Sequence, residues 1–126
     1  MREPPTVAGT ILIVDDDQIT REGLGAILER SGFGVAHASH GSEALSYLYC
    51  NPTPSLILLD MMMPRMDGWN FLEHYRMNAA WEGVPIIIMT GMPIASAEWA
   101  ESLGAAGVLK KPFDESELIR PVRELC

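Results

Sequence analysis

Cysteine is scarce in this chain: Cys50 and Cys126 are the only two in 126 residues, with no C-x-x-C pair and no Cys/His cluster. A disulfide framework and a thiolate metal site are thereby excluded as organising devices, and two free thiols suit a reducing cytosol. Basic residues are also few. Lys plus Arg number 9 against 17 for Asp plus Glu, a formal charge of -8, which disfavours direct contact with nucleic acid or an anionic membrane surface. No apolar run approaches membrane-spanning length and the N-terminus has no signal-peptide core, so membrane insertion is not expected and a cytoplasmic location is. Internal repeats, low-complexity tracts and a linker to a second domain are missing as well, which leaves one domain with one core. Its apolar content of 48% argues against disorder.

What is present is an alternation. Apolar runs of strand length follow one another with helix-period segments between them, the pattern of βα units around a parallel sheet. MREPPTVAGT reads as a polar, proline-containing tail, loosely ordered over 1–9, with the domain over 10–126. The first strand covers 10–14, and a helix follows over 18–31 with Asp17 as its N-cap and Gly32 just past its end. Gly23 and Gly25 inside that helix each cost about 1 kcal/mol relative to Ala, which close packing on the sheet would explain. FGVAHAS is a second strand, and GSEALSYLYC is a helix stopped by Asn51-Pro52. SLILLD is the third strand, MMMPRMDG a loop and WNFLEHYRMNAA an amphipathic helix. VPIIIMT is the most apolar run and therefore expected at the sheet centre. ASAEWAESLG and GVLK add a fourth helix and a fifth strand. Asp114 through Glu117 forms a D-x-x-E capping box for a last helix. Pro121 inside it costs about 3 kcal/mol if the helix runs through, so a kink or early stop is predicted there.

Four positions stand at the carboxyl ends of these runs: Asp15-Asp16 after ILIV, Asp60 after LILL, Thr90 after VPIIIM and Lys111 after GVL. In an open parallel sheet those ends share one edge, and ligands bind there at the topological switch point. Three carboxylates, a hydroxyl and an ammonium on one edge make a divalent-metal site beside a carboxylate nucleophile. A carboxylate attacks a phosphoryl group well only when the phosphate charge is offset, as Mg²⁺ offsets it. Mg²⁺ takes hard oxygen ligands, here Asp15, Asp16, Asp60 and a backbone carbonyl near Met62. Lys111 would meet a phosphoryl oxygen as a point charge, and Thr90 would donate its hydroxyl to the same group. Without metal, each carboxylate pair at about 5 Å costs roughly 3 kcal/mol at an effective dielectric near 20.

VDDD, LLDMMMPRMDGW, IIIMTG and LKKPF, in this order and spacing, resemble the receiver domains of two-component response regulators. The resemblance covers roughly residues 10–120. It implies a doubly wound α/β fold, a five-stranded parallel sheet of flavodoxin-like order 2-1-3-4-5. It also implies that Asp60 is the phospho-acceptor, that Asp15 and Asp16 bind Mg²⁺ with Asp16 the more direct ligand, that Thr90 is the switch hydroxyl, and that Lys111 contacts the phosphoryl group. A cis Lys111-Pro112 peptide belongs to the same pattern. The partners implied are a histidine kinase or histidine phosphotransfer protein as donor and a downstream protein as target. Some receivers dimerise through the face formed by the fourth helix, fifth strand and fifth helix, so a weak homodimer is part of the expectation.

Two departures qualify the resemblance. Receivers commonly carry Tyr or Phe where this chain has Val108, which has no ring to swing and no hydroxyl to expose. The two positions that tune phosphoryl lifetime are Met62 and Met92, neither of which can orient a water, so autodephosphorylation should be slow. Bland readings suit most other residues. Asp17 is a cap, Lys110 a solvated neighbour, and the Met61-Met62-Met63 run is loop packing, since a soft-metal site would want Cys or His partners. His37, His40 and His74 are scattered, and Trp69, Trp81 and Trp99 are packing residues. The expectation is a single-domain phospho-switch with no catalysis beyond its own phosphorylation and dephosphorylation. The alternatives are the excised receiver of a larger DNA-binding or hybrid-kinase regulator, and a degenerate receiver that works without phosphorylation. A haloacid-dehalogenase-type phosphohydrolase is more remote, because it would need an acid where Met62 stands.

Overall fold

The apolar runs pair side by side into one parallel sheet. Its strands are β1 (Thr10–Val14), β2 (Gly34–Ala38), β3 (Leu56–Asp60), β4 (Ile86–Thr90) and β5 (Gly107–Lys110), in the order β2-β1-β3-β4-β5. Between and after them lie α1 (Gln18–Arg30), α2 (Gly41–Cys50), α3 (Gly68–Arg76), α4 (Ala97–Ser102) and α5 (Glu115–Leu125), with a short 3₁₀ turn at Ala79–Trp81. The structure, a computed structural model, describes residues 9–63 and 67–126. The tail expected over 1–9 therefore lies outside the described residues except for Gly9. Gly9 precedes β1, and its carbonyl accepts the Gly34 amide at 2.8 Å.

Both faces of the sheet are covered, which is why its strands read as unbroken apolar runs rather than alternating ones. Successive side chains leave a strand on opposite faces. Leu12, Val14, Ile57, Leu59, Ile86 and Ile88 pack with Ala44, Leu48, Phe71, Leu72 and Ala100 from α2, α3 and α4. Ile11, Ile13, Leu56, Leu58, Ile87 and Met89 pack on the other face with Leu24 and Leu28 of α1 and Leu118 and Val122 of α5. Asp17 caps α1 as expected, accepting from the Thr20 amide at 3.2 Å, and Gly32 ends it at φ +96°. The Asp114–Glu117 capping box is complete, with both reciprocal bonds made.

Three expectations are corrected. β3, not β4, takes the middle of the sheet; β4 is interior beside it, and the apolarity of both reflects two covered faces rather than rank in the order. The helix expected over 69–80 ends at Arg76. Asn78 then caps the separate 3₁₀ turn, which brings Trp81 back to stack on Tyr75 with ring centres 6.4 Å apart. Of the kink or early stop expected at Pro121, the early stop does not occur, for α5 runs to Leu125. Leu118 and Val122 are fully buried on either side of the proline. The carbonyl that loses its amide partner belongs to Glu117, an exposed residue whose carbonyl is not sealed in the core.

The two glycines of α1 differ. A Cβ on Gly25 would lie 3.1 Å from His37 Cε1 and 3.5 Å from Val35 Cγ1, whereas one on Gly23 would meet nothing within 4 Å. Gly23→Ala should therefore stabilise the fold by about 0.5–1 kcal/mol through helix propensity. Gly25→Ala should lose most of that gain against β2. Urea midpoints measure both, and equal gains would show the Gly25 contact to be slack.

Candidate functional site

The site stands where β1, β3, β4 and β5 end, because parallel strands place their carboxyl ends on one edge. Asp15, directly after β1, is 1% exposed. Its Oδ2 accepts from Lys111 Nζ at 2.9 Å and its Oδ1 from the Asp17 amide at 2.9 Å. Asp60, the last residue of β3, is 6% exposed, and its Oδ2 lies 3.7 Å from the same ammonium. Its Oδ1 accepts from the Met62 amide at 3.2 Å. Asp16 is exposed, and carboxylate oxygens of Asp15, Asp16 and Asp60 all lie within 4.8 Å of one another. Two buried walls and one open one make a cluster that could hold a metal ion from the solvent side.

Thr90 closes β4 one residue beyond Met89, the register partner of Asp60. It is 2% exposed, its Oγ1 accepts the Met92 amide at 3.1 Å, and its carbonyl accepts the Lys111 amide at 2.9 Å. Lys111 is followed by a cis bond to Pro112. Asp15, Asp16, Asp60 and Lys111 are thus brought into one group, with Thr90 at the same edge of the next strand. Met62 joins through its amide, and its side chain is 63% exposed. Its two neighbours Met61 and Met63 are buried, as loop packing requires.

The electrostatics follow from burial. Desolvation pushes the Asp60 carboxyl up to about 6; Lys111 and the Met62 amide oppose the rise, and the charges of Asp15 and Asp16 add to it. Burial alone would lower Lys111, but the hydrogen bond to Asp15 and the charges of Asp60, Asp15 and Asp16 outweigh it and hold the ammonium above its ordinary value. The lysine is therefore a fixed cation, and Asp60 is the carboxylate whose ionised form is least comfortable without a further cation.

The family model for the response regulator receiver domain matches residues 11–123. This chain belongs to that family. The receiver is 36% identical over 118 residues to the response regulator Rre1 of Synechocystis, covering 92% of this chain and 51% of that protein. It is 38% identical over 116 residues to the response regulator MprA of a Mycobacterium species, covering 91% and 49%. Among solved structures it resembles the chemotaxis response regulator CheY4 of Vibrio cholerae, with a TM-score of 0.83 and 29% identity over 93% of this chain and 98% of that one. The receiver domain of a Francisella response regulator superposes with a TM-score of 0.84 at 29% identity, covering 93% and 95%. This receiver spans about half the length of the sequence relatives it matches, 51% and 49%. Among the described residues no helix is long and apolar enough to cross a membrane.

Three contributors escaped the sequence reading. Lys110 is exposed, as a solvated neighbour would be, and its Nζ also donates to the carbonyls of Met92, Pro93 and Ala95 at 2.6, 3.2 and 3.0 Å. Arg21 reaches back from α1 to donate Nη1 to the Asp15 carbonyl at 2.6 Å. Gly68 starts α3 against the end of β3, where a Cβ would come within 2.6 Å of the Met61 Cα. Backbone carbonyls and a missing Cβ leave no periodic trace in sequence; only the D-G pair before a helix hinted at the third.

The raised Asp60 carboxyl gives a signed prediction. Between 3.8 and about 6 the folded chain keeps a proton that the unfolded chain has released. In metal-free buffer stability should therefore fall as pH rises through that window and level off above it. Asp60→Asn should remove this slope and be more stable than wild type at pH 7 by about 1–3 kcal/mol. Thermal melts from pH 4 to 7 test this, and parallel curves for the two proteins would contradict a strained carboxylate.

Proposed function

We propose that this receiver is a cytoplasmic phospho-switch that accepts a phosphoryl group on Asp60 from a histidine kinase or histidine phosphotransfer protein. The observation that carries the reading is the pairing of a buried, proton-favouring Asp60 with a buried Asp15 around one ammonium, with Asp16 open beside them. An all-oxygen donor set on one open edge fits a hard divalent cation. Asp15, Asp16, Asp60 and the Met62 carbonyl would hold Mg²⁺, which when bound supplies charge to offset the incoming phosphate. In the transfer, an Asp60 carboxylate oxygen forms the new bond to phosphorus while the phosphorus–nitrogen bond of the donor phosphohistidine breaks. The bonding pair leaves with the imidazole, and Lys111 and Thr90 meet the phosphoryl oxygens. Occupation of Asp60 then biases a pre-existing equilibrium of the surface read by a downstream protein.

Self-phosphorylation and its slow reversal are the whole chemistry on this reading, and the domain over 10–126 acts by protein contact rather than on nucleic acid. A second reading is favoured by one observation: relatives such as Rre1 and MprA are about twice as long, which suits the receiver part of a larger regulator. Both readings share the same chemistry at Asp60.

Intact-protein mass spectrometry after incubation with acetyl phosphate and Mg²⁺ should show one added phosphoryl group, absent in Asp60→Asn and without metal. No adduct with acetyl phosphate, with cognate-type phosphohistidine donors or with beryllofluoride would leave the phosphorylation-independent receiver as the answer. Met62 and Met92 flank the acceptor turn and Thr90 without offering a group to orient water. Met62→Asn should accordingly shorten the acyl-phosphate lifetime several-fold, and a lengthened lifetime would refute the shielding role.

A further inference from the structure

Lys110 is an unexpected cation. It ends β5 opposite Thr90 in the β4–β5 register, and strand alternation puts it on the same face as Val108. Among the described residues no carboxylate lies within salt-bridge distance of it. All three of its donor positions go instead to backbone: the carbonyls of Met92, Pro93 and Ala95 converge on Nζ within 3.2 Å. An ammonium has three donors and no acceptor, so this set satisfies it completely.

The segment it holds is the one that begins at the Thr90 hydroxyl. Thr90 Oγ1 accepts the Met92 amide, Met92 carbonyl accepts the Ala95 amide at 3.2 Å, and Ala95 is buried. Ser96 then caps α4, accepting from Trp99 at 3.1 Å. Six residues, 91–96, thus separate Thr90 from α4, tied to themselves near one end and to β5 by one side chain. Charge-assisted bonds are the strong ones of their kind, and three to one short loop over-determine its position.

We infer that Lys110 is a positioning residue for the phosphoryl site, acting through the 92–95 loop to fix the Thr90 hydroxyl at the edge that carries Asp60. The inference rests on the proposed function, because its readout is phosphorylation of Asp60. Lys110 touches neither Asp60 nor Asp15; its neighbour Lys111 does. Its influence therefore has to pass through the loop or through bulk charge, and a double-mutant cycle separates these.

The rate of phosphorylation by acetyl phosphate is measured for wild type, Lys110→Met, Thr90→Val and the double variant, with amide exchange of the 92–96 segment followed in parallel. Lys110→Met should slow phosphorylation about tenfold when Thr90 is present and by less than about twofold in the Thr90→Val background. Exchange in the 92–96 segment should quicken about tenfold or more while β1 and β3 stay protected. Lys110→Arg, which keeps charge and donors, should restore most of the rate. An equal slowing in both backgrounds would assign the effect to lost charge or to general destabilisation and overturn the inference while leaving Asp60 as acceptor. An unchanged rate or unchanged loop exchange in Lys110→Met would overturn it as well. If wild type takes up no phosphoryl group, the proposed function fails first and this inference falls with it.

Discussion

One ammonium shared by two buried carboxylates organises this molecule's working edge. Lys111 bonds Asp15 at 2.9 Å and stands 3.7 Å from Asp60, so a single positive charge answers two negative ones and a third, Asp16, lies beside them. Such a group is not a source of stability. Taking the carboxylates out of water is costly, and one cation repays only part of it. The raised Asp60 carboxyl is the visible sign of that deficit. A cluster left short of positive charge is one that could hold a cation.

The rest of the fold makes the deficit tolerable. Five parallel strands with both faces covered supply a dry, rigid platform, and their register sets Asp60 beside Met89 and Thr90 beside Lys110. The loops that leave this platform are each held by something other than their own length. Arg21 holds the carbonyl of Asp15, Gly68 lets α3 start hard against Met61, and Lys110 gathers the carbonyls of 92–95. Precision of the acidic cluster thus comes from backbone anchoring around it as much as from the side chains within it.

Much of this was legible in the chain. Strand ends carrying Asp15, Asp60, Thr90 and Lys111 were readable because fully buried strands are apolar without interruption and polar residues at their ends stand out. The cap at Asp17 and the box at Asp114 were readable because capping is local chemistry. The failures have a different origin. The break at Arg76 depends on Trp81 finding Tyr75, a contact no helical period encodes. The continuation of α5 through Pro121 depends on Leu118 and Val122 being gripped by the sheet, tertiary burial overriding a local penalty. The contacts of Lys110 were not legible because its partners are carbonyl oxygens, which every residue has.

The two adjacent lysines at the end of β5 have a consequence for how that strand must sit. Neighbours on an extended chain point to opposite sides, so Lys110 goes to the 92–95 carbonyls and Lys111 to the carboxylates. β5 is four residues long, lies at the sheet border and pairs with β4 alone. A slip of one residue along β4 would send each ammonium to the other's place and turn Leu109 out of its packing. The shortest strand, one of the two at the sheet borders, is therefore the one on whose alignment the sorting of both charges depends, and the burial of Leu109 is its index pin.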